Sequence, residues 1–218
     1  MDALEMAKKR HSVRRYMETP IEPEKADLIR KELERLNAES GLSMQYIEDG
    51  SKVFSAISMK MLGWGKYVPA YIAVCGTDDY DLEEKCGYYG EQFVLYAQSL
   101  GLNTCWVGMF KKKYAAPVLK DGERMVITIS VGYGENNGKP HKSKFVEDVS
   151  DVEDMPDWFR SGVECALLAP TAINQQKFIF YMEGDEVLAK IDGKGPFIAL
   201  DLGIAKYHFE IGSGRKVQ

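Results

Sequence analysis

"APTAINQQKF", residues 169–178, decides how this chain is put together. A helical run, "PDWFRSGVECALLA" (156–169), leads into it, and the aromatic, β-prone "KFIFYM" (177–182) leaves it. Between them Pro170, Thr171, Asn174 and Gln176 offer a hydroxyl and two amides in a short turn. Amides carry donors and acceptors together, which suits the edge of a heterocycle. Pro, Thr and Asn are also ordinary turn formers, so a plain capping turn is the competing reading.

Working outward, a short strand near "EVLAKI" (186–191) and a helix "ALDLGIAKYHFEIG" (199–212) follow the turn. An acidic linker, "EDVSDVEDMP" (147–156), separates this part from the longer first part. There "DALEMAKKR" reads as a short helix capped by Asp2. "EPEKADLIRKELERLNAES" reads as an amphipathic helix with Pro23 in its first turn and Leu28, Ile29, Leu33 and Leu36 on one face. "MQYIE" and "PAYIAVCG" read as strands. A second long helix runs from Asp81 to Leu100, with a stripe of Tyr89, Phe93, Tyr96, Ala97 and Leu100, and stops at Gly101. "RMVITISVGYG" (124–134) reads as a strand buried on both faces, and "ENNGKPHKSK" as a polar loop. Helices opened by Pro or Gly recur in both parts, a pattern that fits a duplication and equally fits unrelated helices.

With 218 residues, 45% of them hydrophobic and 28% charged, the chain has the make-up of a soluble globular protein with a sizeable core. Its net charge of -5 makes any basic cluster a local feature, and general nucleic-acid binders are more often basic overall. Cys75, Cys86, Cys105 and Cys165 form no CxxC pair, and the three histidines are scattered, which argues against zinc and for reduced thiols. No apolar run approaches the ~20 residues of a membrane span, and the N-terminus lacks the apolar core of a signal peptide. The expectation is a cytoplasmic protein.

Two further stretches carry chemistry. In "KKRHSVRRY" (8–16), Arg10, Ser12 and Arg14 alternate, so in an extended segment they face one target, with Arg15 on the other side. Two guanidiniums and a hydroxyl suit a phosphate monoester; a cationic helix end complementing the helix dipole is the plain alternative. In "LGLNTCWVGMF" (100–110), "WVGM" is read as following a helix, with backbone N–H groups facing outward and Gly108 permitting close approach. Lys142 and Lys144 alternate in "HKSKF", as a second half of a phosphate clamp or as a solvated loop.

Together these stretches resemble the FMN-dependent nitroreductase family. Its N-terminal R-x-S-x-R/K-x-F/Y motif is matched by Arg10, Ser12, Arg14 and Tyr16, and its P-S/T-x-x-N-x-Q turn by Pro170, Thr171, Asn174 and Gln176. "LGLNTCWVGMF" is similar to a third family segment, and "ISVGYGENNGKPHKSKF" to a fourth, with Lys144 in the place of a basic residue. The usual place of the polar turn, some forty residues from the N-terminus, holds "NAESGLSMQYI" instead. That departure resembles a branch in which two half-domains are fused in one chain.

The resemblance implies an α+β, nitroreductase-like fold, an antiparallel-rich sheet flanked by helices, built as a single-chain pseudo-dimer. Residues 1–150 would form the half with the phosphate clamp, and 151–218 a shorter half completing the site. It implies FMN held by Arg10, His11, Ser12, Arg14, Trp106, Val107, Gly108, Met109, Lys142, Lys144, Pro170, Thr171, Ala172, Asn174 and Gln176. It implies NAD(P)H as hydride source and a small electron-poor acceptor, such as a nitroaromatic or quinone, in a ping-pong reaction needing no catalytic side chain and no metal. Neither nucleic acid nor membrane is an expected partner, and the protein is expected as monomer or homodimer. A flavin-binding sensor or carrier without turnover is the rival reading.

Overall fold

The computed structural model describes residues 2–54, 65 and 67–218, which divide into two compact units. One comprises residues 10–82 and 93–140, the other the N-terminal nine residues with 83–92 and 141–218. This cut follows compactness and is a different division from the halves 1–150 and 151–218 that the family resemblance implies.

The first unit is built on an antiparallel sheet of β1 (Gln45–Glu48), β2 (Ala70–Thr77), β3 (Asn103–Val107) and β4 (Glu123–Gly132), in the order β1-β2-β4-β3. The two central strands are the most apolar: β2 is buried from Ala70 to Gly76, and β4 from Val126 onward. Residues buried on both faces of a strand suit its β-branched, alanine-rich composition. In the core under the sheet Tyr71 meets Phe54 edge to face, 5.8 Å between centroids, beside Val13, Tyr16, Cys105 and Val107. Helix α2 (Pro23–Ser40) buries Ala26, Ile29, Leu33 and Leu36. Leu28, expected on that face, is exposed; Ala26, one turn before Ile29, is buried there instead. The helix ends on Gly41 in the left-handed conformation (φ 74°), whose N–H reaches the Asn37 carbonyl.

The second unit holds α1 (Ala3–Lys9), α4 (Asp157–Ala166), α5 (Ile198–Ser213) and the hairpin β5 (Phe178–Glu183) with β6 (Glu186–Ile191). Asp2 caps α1 by accepting from the N–H groups of Leu4 and Glu5, as expected. The fifth helix, α3 (Leu82–Ser99), contributes its opening turns here and its later turns to the sheet unit. It is buried more widely than one stripe, with Cys86, Glu91, Val94 and Leu95 inside as well as Phe93 and Ala97. Two glycines explain how closely α3 and α5 cross. A Cβ on Gly87 would stand 2.0 Å from the Leu200 carbonyl oxygen, and one on Gly203 2.0 Å from that of Glu84. Beside this crossing Phe209 stacks on Phe180 at 4.6 Å and meets Phe159 edge to face at 5.2 Å. Buried aromatic pairs of this kind add about 0.5–1.5 kcal/mol beyond the burial of their area. Between α3, α4 and α5, the fully buried His208 bonds Glu91 at 3.0 Å and the Cys165 carbonyl at 3.2 Å.

The architecture is the expected mixture of helices and antiparallel sheet. All four cysteines are free and buried. No helix among the described residues is long and apolar enough to cross a membrane.

Candidate functional site

From Arg10 onward the opening basic stretch belongs to the sheet unit, where it runs along the edge of β3. Ser12 bridges Thr104 in the parallel sense, and the Val13 N–H donates to the Thr104 carbonyl at 3.0 Å. Further on, Tyr16 bridges Gly134, and the N–H of Met17 reaches the Tyr133 carbonyl at 2.8 Å. Val13 and Tyr16 are buried and pin the segment inward. The Tyr16 hydroxyl sits 2.7 Å from Ser130 Oγ, which itself donates to the Cys105 carbonyl. Burial pushes the Tyr16 hydroxyl well above its ordinary range, so it stays protonated.

Near this segment lies the buried thiol of Cys105 on β3. Burial raises that thiol; Arg14, a hydrogen bond from Ser12, and Arg10 all pull the other way. Arg10 is itself 3% exposed, Ser12 half-buried and Arg14 exposed. Arg15 is exposed as well, so strict alternation ends at Arg14, where the segment turns to bury Tyr16. From the other side, Gly138 (φ 75°) presses its backbone on the segment: a Cβ there would lie 2.7 Å from His11 Cβ. The buried Asn103 holds the start of this loop by accepting from the Gly134 N–H at 2.9 Å.

"WVGM" does not directly follow a helix. Trp106 and Val107 end β3, which Gly101 (φ 76°) introduces after α3, and Gly108 and Met109 come just beyond the strand. The β-branched and aromatic content of "NTCWV" is itself a strand signal. Val107 is buried and its carbonyl accepts from the Thr128 hydroxyl, Trp106 is half-buried, and Met109 is exposed.

In the second unit, the polar turn and the "HKSK" loop are bonded to each other. Lys144 gives its backbone N–H to Gln176 Oε1 at 2.9 Å and its ammonium to the Gln176 carbonyl at 2.8 Å. The Lys142 carbonyl accepts from Asn174 Nδ2 at 2.7 Å and from Gln176 Nε2 at 2.9 Å. Asn174 Oδ1 accepts from Gln176 as well, and the Gln176 N–H donates to the Thr171 hydroxyl oxygen. Gln176 and Pro170 are buried, Thr171 and Ala172 half-buried, Asn174 exposed. The amides and the Lys144 ammonium thus serve the local architecture first; the second hydrogen of Asn174 Nδ2 and the Thr171 hydroxyl proton retain donor capacity.

The turn's backbone is strained. Ile173 (φ 49°), Asn174 (φ 58°) and Gln176 (φ 45°) all lie in the left-handed region, which is uncommon for a β-branched side chain. Such conformations cost on the order of 1–3 kcal/mol each and cluster at functional sites. Ile173 is 86% exposed at the turn's apex. The residue that the sequence reading missed is Asp201, 3% exposed in the first turn of α5. Its two carboxylate oxygens lie 3.0 and 3.1 Å from the Ala172 nitrogen, and one takes the Gln175 amide at 2.7 Å. Burial pushes its carboxyl up to about 6, against the pull of Gln175 and Ala172.

The eight positions from Arg10 to Met109 named from sequence therefore lie in one unit, and the seven from Lys142 to Gln176 in the other.

Comparison with known proteins adds the family. A family profile described as "Putative TM nitroreductase" matches residues 2–213. Among solved structures, "a putative nitroreductase" from Thermotoga maritima is similar with a TM-score of 0.67 at 22% identity, covering 97% of this chain and 83% of that one. A nitroreductase family protein from Clostridium difficile 630 has a TM-score of 0.52 at 21% identity, over 69% of this chain and 98% of that one. "A putative nitroreductase" from Exiguobacterium sibiricum, solved in complex with FMN, has a TM-score of 0.55 at 18% identity, over 70% of this chain and 98% of that one. No curated protein matches. At these identities the structures speak for the fold, while the profile spans nearly the whole sequence: the chain belongs to the nitroreductase family that this profile describes.

Proposed function

We propose that this chain is an FMN-dependent oxidoreductase that takes hydride from NAD(P)H and reduces an electron-poor acceptor, a nitroaromatic or a quinone, by turns. Family membership supports an oxidoreductase. The single observation that carries FMN is the alternation of Arg10, Ser12 and Arg14 along the edge of β3, where Ser12 bridges Thr104 and the Val13 N–H donates to the Thr104 carbonyl. Two guanidiniums and a hydroxyl at alternate positions of one extended segment are a donor set for a phosphate monoester. The residues fit the group.

Arg10 and Arg14 would hold phosphate oxygens by charge-assisted hydrogen bonds, with the Ser12 hydroxyl as third donor and the His11 backbone fixed by Gly138. The backbone of Val107, Gly108 and Met109, beside Trp106, would serve the ring system as hydrogen-bond partners. In the other unit, Pro170, Thr171, Ala172, Asn174 and Gln176, with Lys142 and Lys144 buttressing them, are a candidate flavin-binding element in their own right. When bound, FMN supplies the hydride-accepting and electron-donating chemistry, so the chain needs to supply position and electrostatics alone. Preorganised donors near the ring stabilise negative charge as it develops. Both motif sets stand on one chain, in keeping with fused halves 1–150 and 151–218.

The test is the absorbance spectrum of the purified protein, with FMN added and the released flavin identified, followed by NADH and NADPH oxidation with a quinone. A flavin spectrum and turnover support the reading; a protein that binds no flavin at micromolar concentration overturns it.

A further inference from the structure

We infer that Asp201 is a positioning residue that holds the polar turn 171–176 in its binding shape; this rests on the proposed flavin site. The turn's own sequence does not favour its conformation, since three of its side-chain-bearing residues sit at positive φ. Something outside it must fix it, and the bonds show what. The N–H groups of Asn174 and Gln175 go to the carbonyls of Thr171 and Ala172, and that of Gln176 to the Thr171 hydroxyl oxygen. The Ala172 N–H goes to Asp201, 29 residues away in sequence. The Gln175 amide joins the same carboxylate and also the Pro196 carbonyl at 2.8 Å.

Asp201 thus clamps the turn at two points on either side of Ile173 and Asn174. Among the described residues, the Ile173 N–H has no protein acceptor, and its side chain points outward, 86% exposed. The clamp leaves one backbone donor, one apolar side chain and the Asn174 amide on the outer side of the turn. An acid in the first turn of a helix also complements the helix dipole. That role alone does not account for the geometry: α5 is preceded by Phe197 (φ 55°) with no side-chain cap, and both Asp201 oxygens are turned to residues 172 and 175.

The experiment uses the full chain and compares wild type, Asp201→Ala, Asp201→Asn and Gln175→Ala. Amide hydrogen exchange over 169–178 and titrations with FMN and with riboflavin are the readouts. Asp201→Ala should speed exchange at Ala172 by about tenfold or more and weaken FMN and riboflavin by the same factor, about tenfold. Equal loss for both flavins separates this turn from a phosphate contact. Asp201→Asn, which keeps one oxygen for Ala172, should recover part of both effects, and Gln175→Ala should show a smaller loss of both. Wild-type exchange and wild-type flavin affinity in Asp201→Ala would overturn the inference. Should Asp201→Ala not fold, wild-type values in both Asp201→Asn and Gln175→Ala would overturn it equally. If the wild-type chain binds neither flavin, the proposed function fails, and the exchange data alone decide whether Asp201 holds the turn.

Discussion

Ser12 forms a parallel bridge with Thr104, where the neighbouring Val13 N–H donates to the Thr104 carbonyl at 3.0 Å. This contact joins the opening segment to β3, and it places Ser12 between the charges of Arg10 and Arg14. The backbone of the segment is held by the buried Tyr16, bonded to Ser130, and by the close approach of Gly138 to His11.

Arg14→Ala should therefore raise the dissociation constant of FMN about tenfold or more, since hydrogen bonds to charged groups contribute ~1.5–3 kcal/mol. Arg10→Ala should do at least as much. Arg15→Ala, which lies outside the alternation of Arg10, Ser12 and Arg14, should change it less than about twofold. Flavin titration of the three variants checks this; equal losses at Arg14 and Arg15 would mean general charge attraction.

Tyr16→Phe removes one buried hydroxyl and leaves Ser130 still bonded to the Cys105 carbonyl. The chain should lose about 1 kcal/mol of stability, seen as a lower urea midpoint with unchanged slope. No change in midpoint would show that water replaces the bond without cost.

Much of this arrangement is legible in the sequence, and the limits are physical. Helices α1 and α2 announce themselves through Asp2, Pro23 and a 3.6-residue repeat, because caps and periodicity are local. The strand "NTCWV" was hidden by its position straight after a helix stop, where a loop is the simpler expectation. The alternation of Arg10, Ser12 and Arg14 is readable in the sequence, but its place along β3, where Ser12 bridges Thr104, depends on a strand about ninety positions away. Asn174, Gln176 and Lys144 show their donors in the sequence, yet not that those donors are spent on one another. Asp201 looks like any acid at the start of a helix until the fold brings it to Ala172.

The raised carboxyl of Asp201 fixes a pH dependence. Folded, it holds its proton up to about 6 because of burial, whereas its ordinary value is 3.8. Stability from this group is fully present below the lower value and is lost as pH rises through the higher one, by about 3 kcal/mol in all. Relative to Asp201→Asn, which cannot ionise, wild type should become less stable between pH 4 and pH 7. Urea unfolding of both proteins across that window is the check, and parallel curves would contradict the assignment.

One FMN per chain is expected. The chain has one R-x-S-x-R stretch, at 10–14, and the corresponding place before α4 carries Asp151, Glu153 and Asp154, which repel a phosphate. Quantifying released flavin against protein should give a ratio near one; a ratio near two would show a second clamp.

The most direct test of the central claim, a phosphate clamp at Arg10, Ser12 and Arg14, is a pair of calorimetric titrations of the wild-type chain, one with FMN and one with riboflavin. The two ligands share the ring and differ at the phosphate, which the clamp alone addresses. The account predicts that FMN binds at least about tenfold more tightly. Equal affinity for the two would contradict it.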